Sequence, residues 1–175
     1  MESTSNKKVV FLLAPQDFRD EEYFQPKVII QSKGIDVFTA VKGDPEEVTG
    51  TQGGKARPDI SFESILSENY DGLILVGGAG SKIYIEDPDV QSLVQRFHQE
   101  GKLVAAICSA TGILASSGIL SGLTVTGFDD VKNIVEQAGA SWSGKDIEQS
   151  GTIITARDAD VSLAFGSKIA EFVNS

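Results

Sequence analysis

The chain has 175 residues, 41% of them hydrophobic, with one cysteine, one histidine and a formal net charge of −10. That length suits a single domain over residues 1–175 with a substantial core and a flexible stretch at 1–7, and a lone cysteine excludes an internal disulfide. The negative charge repels phosphate backbones, no apolar run approaches the ~18 residues that span a bilayer, and the polar N-terminus lacks a secretory signal. A cytoplasmic protein with neither a nucleic-acid nor a membrane partner is expected.

Strands and helices alternate along the chain, the mark of a layered α/β domain with a parallel sheet. Lys8–Ala14 reads as an apolar strand. Glu21–Lys33 reads as a helix with Tyr23, Phe24, Val28 and Ile29 on its apolar side, stopped by Gly34. Ile35–Val41 is the second strand, Val48–Ala56 a small hairpin, Phe62–Ser67 a short helix, and Tyr70–Val76 an apolar strand ending in Gly77-Gly78. Pro88 opens a helix through Gln99, with Asp87 as its cap and Gly101 just past its end. Leu123–Thr126 reads as a strand, Asp129–Ala138 as a helix, Ile147–Gln149 and Ile153–Ala156 as paired strands around Ser150-Gly151. Asp160–Val173 closes the chain as a helix packing Leu163, Phe165, Ile169 and Phe172.

Cys108 stands where the buried strand Val104–Ile107 runs into a small-residue helix that begins at Ser109 and ends near Gly118. Such a junction is a nucleophile elbow. Free backbone N–H groups and the positive end of the helix dipole favour a thiolate there, which lowers the thiol below its free pKa of about 8.5. A lone cysteine also serves often as a small buried hydrophobe, and its position at a strand's carboxyl edge is what argues for chemistry.

A Cys–His dyad needs a histidine, and His98 lies on the preceding helix, where it reads as an ordinary surface or helix-end residue. Metal binding and a cofactor are equally unsupported by one histidine and one cysteine. The acidic runs Asp17–Glu22 and Asp44–Glu47 read as solvated faces. Glu22, on the opening turn of the first helix, can nevertheless meet the cysteine. Burial and a neighbouring negative charge raise a carboxyl pKa, so that such a glutamate keeps its proton and donates a hydrogen bond to sulfur. The same acids also suit a helix N-terminus. Gly77 and Gly78 expose backbone N–H groups that, with the Ser109 N–H, can form an oxyanion hole, although the segment also reads as a plain turn.

The strand ending in Gly77-Gly78, the elbow Ala106-Ile-Cys-Ser-Ala-Thr-Gly-Ile-Leu-Ala115 and the segment Glu22-Tyr-Phe-Gln-Pro26 occur together in this order. The chain resembles the ThiJ/PfpI superfamily. The resemblance extends through Gly122-Leu-Thr-Val-Thr126, Glu136–Trp142 and Thr155-Ala-Arg-Asp158, essentially the whole chain. It implies a flavodoxin-like three-layer α/β/α sandwich with a mostly parallel central sheet, a homodimer, Cys108 as reactive cysteine, Glu22 as its carboxylate partner, and Gly78 and Ser109 as oxyanion donors. Family activities include peptidases, glyoxalases or deglycases acting on reactive carbonyls, isonitrile hydratases, chaperones and oxidative-stress sensors.

Two departures narrow that range. Ser109 stands where PfpI-type peptidases carry histidine, and Phe128 stands where many glyoxalase-like relatives carry histidine or tyrosine. Arg157 and Asp160 are further residues expected to approach the site, although Asp158 or Asp160 equally suits a helix cap. The expected function is therefore a cysteine enzyme in which Cys108 attacks a small electrophile and Glu22 moves the proton. The alternatives are a redox sensor in which an oxidant converts Cys108 to a sulfinate, and a peptidase or amidase.

Overall fold

Strand β1 (Lys8–Leu13) is the pivot of the sheet, because β2 (Asp36–Val41) pairs on one side of it and β5 (Gly72–Leu75) on the other. The computed structural model describes residues 5–175, so residues 1–4 of the expected flexible stretch lie outside the described part. Between β2 and β5 a hairpin of β3 (Val48–Thr49) and β4 (Lys55–Ala56) forms a separate two-stranded sheet. Strand β6 (Leu103–Ile107) lies beyond β5. After β7 (Thr124–Val125) and β8 (Ser141–Trp142), which pair with each other, the chain adds β9 (Ile147–Ser150) and β10 (Ile153–Ala156). The main sheet runs β2-β1-β5-β6-β10-β9, parallel except for β9.

Alternation along these strands loads the two faces separately. Val10, Leu12, Leu73, Leu75, Val104 and Ala106 join one apolar cluster with α2 (Pro88–Gln99), α3 (Thr111–Ser116) and α4 (Lys132–Gln137). Val9, Phe11, Leu13, Ile74, Ala105 and Ile107 join the other with α1 (Asp20–Ser32) and α5 (Ser162–Asn174). This is the expected three-layer α/β/α sandwich. Helices α1 and α5 meet closely at Gly166, where a Cβ would lie 2.7 Å from Pro26 Cα.

Helix α2 begins and ends as predicted, since the Asp87 carboxylate accepts from the N–H groups of Asp89 and Val90 and Pro88 needs no acceptor at the first position. Two inner faces differ from expectation. On α1 the buried residues are Asp20, Glu22, Tyr23, Pro26 and Ile30, while Val28 is 63% exposed. On α5, Leu163 turns outward while Phe165 and Ile169 are buried. The expected Phe62–Ser67 helix is two separate 3-10 turns, at Phe62–Ser64 and Ser67–Asn69. No helix among the described residues is long and apolar enough to cross a membrane.

The order of strands reverses at β1, so a crevice opens beyond the carboxyl ends of β1, β5 and β6. The segments that follow those three strands carry Arg19 and, on the first turn of α1, Glu22; Gly77 and Gly78; and Cys108.

Candidate active site

Cys108 has φ of 61°, a left-handed conformation that a side-chain-bearing residue adopts only under constraint. The constraint is the strand-to-helix turn itself, in which β6 ends at Ile107 and a 3-10 turn, Cys108–Ala110, leads into α3. Glycines make room for it. A Cβ on Gly77 would fall 2.5 Å from Glu22 Oε2 and 2.9 Å from Cys108 Cβ, and one on Gly127 would fall 3.1 Å from the Cys108 carbonyl oxygen.

Glu22 reaches the same point from α1. It is 1% exposed, and its Oε2 accepts the Gly77 N–H at 2.9 Å. Oε1 is buried without a hydrogen-bond partner, and the carboxyl interacts with the Cys108 thiol. Burial outweighs the opposing Cys108 thiol, Gly77 N–H and Arg19 guanidinium and pushes the Glu22 carboxyl up to about 8, which favours the protonated acid at neutral pH. Burial, then the proximity of Glu22, pushes the Cys108 thiol up to about 12, opposed by the Ser109 N–H and hydroxyl. This reverses the expected lowering of the thiol. The helix start is too short to prevail, because Cys108 opens a 3-10 turn followed by a six-residue helix. The pair rests as a neutral acid beside a thiol.

The remaining predicted residues fall into three groups. Gly78 and Ser109 line the pocket, and the Gly78 N–H has no protein acceptor among the described residues. The Gly77 N–H is taken by Glu22 and is not available to an oxyanion. Phe128 and Asp160 also line the pocket, whereas Arg157 does not, its guanidinium being held by Asp146 at 2.6 Å and Asp158 at 2.9 Å. Asp158 is a cap whose side chain accepts the Asp160 N–H. His98 lines a separate cavity beside Gln95 and Ser117.

Several pocket residues carry no sequence signal strong enough to single them out. Arg19 donates its N–H to the Gly77 carbonyl at 3.0 Å, and its guanidinium holds Glu21. The Ser109 hydroxyl donates to Asp130, at 2.9 Å from Oδ2, and Asp130 in turn pairs with Lys82 at 2.6 Å. Ser109 Oγ also lies 3.9 Å from Cys108 Sγ. Asp20, expected on a solvated face, is buried and accepts the N–H groups of Gln52 and Gly54, which sets Thr51 on the pocket wall.

The sequence model of the DJ-1/PfpI family matches residues 7–172. The chain belongs to the DJ-1/PfpI family. It is 33% identical to an uncharacterised protein of Methanocaldococcus jannaschii, covering 98% of this chain and 85% of that one. It is 30% identical to a protein of Pyrococcus horikoshii named a deglycase, over 86% of this chain and 89% of that one. Among solved structures it is similar to a ThiJ/PfpI domain protein from Brachyspira murdochii, with a TM-score of 0.93 and 27% identity over 97% of this chain and 98% of that one. For a DJ-1/PfpI member, the points of interest are the neutral carboxyl beside the thiol and the Ser109–Asp130–Lys82 chain beyond it.

Proposed function

We propose that the protein is a cysteine-dependent enzyme acting on small reactive carbonyls, of the glyoxalase or deglycase type. The observation that carries this reading is Glu22, buried beside the nucleophile with one carboxyl oxygen that has no hydrogen-bond partner; burial raises this carboxyl to about 8, which favours the protonated acid at neutral pH. Cys108 Sγ adds to an aldehyde carbon; the carbon–oxygen π pair moves onto oxygen, which takes the Glu22 proton, and the sulfur's own proton leaves to solvent. The Gly78 and Ser109 N–H groups face the developing oxyanion. Glu22, now a carboxylate, removes the adduct's C–H proton and delivers it to the neighbouring ketone carbon while the adduct hydroxyl's proton passes to the ketone oxygen, giving an α-hydroxy thioester. Water cleaves that thioester to a hydroxy acid and frees the thiol.

The sensor reading ranks second, because relatives about 30% identical are named deglycases. A peptidase relay through histidine has no support, since His98 sits in another cavity. Incubating the protein with methylglyoxal separates the first two readings. Conversion to lactate with an unmodified cysteine by intact mass is the expected result; no conversion, with ready sulfinate formation under mild peroxide, overturns the enzyme reading.

A further inference from the structure

Phe128 is an exposed ring and the one aromatic residue among the described residues that line the pocket. It is 45% exposed and packs into neither apolar cluster, and its N–H donates to the Cys108 carbonyl at 3.2 Å, which ties the Phe128 backbone to that of the nucleophile. A large apolar group with no structural partner gains by being covered, and the cavity it borders, about 430 Å³, admits a small aromatic compound. The charges around Cys108 bear on the same question. Glu22 is neutral, Arg19 is already held by Glu21 and Lys82 by Asp130, while Asp158 and Asp160 border the pocket. A substrate carboxylate therefore meets like charge and finds no unpaired cation among the described residues that line the pocket.

We propose that Phe128 is a specificity-determining residue, selecting neutral carbonyl compounds whose apolar, above all aromatic, substituent lies against its ring, in preference to 2-oxo acids. The reacting group rests on the carbonyl reading above; the substituent preference rests on Phe128 and the paired cations alone.

Iodoacetamide, N-benzyliodoacetamide and iodoacetate test the preference without any carbonyl chemistry. Each presents the same electrophilic carbon: the sulfur–carbon bond forms as iodide leaves, and the thiol proton passes to buffer. With rates on Cys108 divided by those on glutathione, the benzyl reagent is expected to exceed iodoacetamide about tenfold. Iodoacetate is expected to fall below both. Phe128→Ala removes the benzyl preference, and Phe128→Leu keeps part of it. A benzyl preference of unity in the wild type, or one unchanged in Phe128→Ala, overturns the proposal, as does iodoacetate reacting faster than the amide. Turnover of phenylglyoxal against methylglyoxal is measured alongside. Absence of both turnovers with the alkylation preference intact defeats the carbonyl reading and leaves the substituent preference standing.

Discussion

Cys108→Ser lowers methylglyoxal turnover by roughly a thousandfold or more, with little change in stability. The hydroxyl of serine is a far weaker nucleophile than sulfur, and nothing in this pocket activates it as a histidine would. Glu22 is itself protonated, and Asp130 already holds the Ser109 hydroxyl. The fold tolerates the change because Cys108 is only partly buried, packing at the edge of an apolar cluster and not inside it, and serine is close to it in shape. Comparing kcat/KM with the urea midpoint checks both halves. A variant retaining more than about a tenth of the activity removes Cys108 from the chemistry.

Glu22→Gln changes the dependence of stability on pH. The carboxyl has an ordinary value of 4.5 and a folded-state value of about 8, so the native state binds a proton that the unfolded chain has released. Its contribution is fully present below pH 4.5 and is lost as pH rises through 8, because at higher pH the folded protein must bury a carboxylate. The cost is on the order of a few kcal/mol. Glutamine keeps the acceptor for the Gly77 N–H and never ionises. The two proteins therefore unfold at similar urea concentrations near pH 4.5, and the variant becomes the more stable through pH 8 and above. Identical pH slopes would show that Glu22 is ionised in the folded protein.

Much of this site was legible before the fold because its geometry is local. The elbow needs only a buried strand meeting small residues, and the first turn of α1 places Glu22 at the mouth of β1. Helix α2 was readable for the same reason, with its cap and proline adjacent in sequence. What escaped depends on contacts across the fold. Arg19, Lys82 and Asp130 reach the pocket from three different connections, and Lys82 comes from a 3-10 segment, Ala79–Tyr84, that reads as a turn. The inner face of α1 was misplaced because it includes the polar Glu22, which displaces the apolar stripe and leaves Val28 outside. The thiol's direction of shift was misread because desolvation is a property of the packed site, whereas the helix start is visible in the chain.

The central claim is that Cys108 attacks while a protonated Glu22 supplies the acid. The pH dependence of kcat/KM on methylglyoxal tests it most directly, since it reports the ionisations of the free enzyme. The account predicts a descending limb near pH 8, where Glu22 loses its proton, and its absence in Glu22→Gln along with most of the activity. A rate that climbs steadily through pH 8 and beyond, following ionisation of the thiol alone, would contradict it.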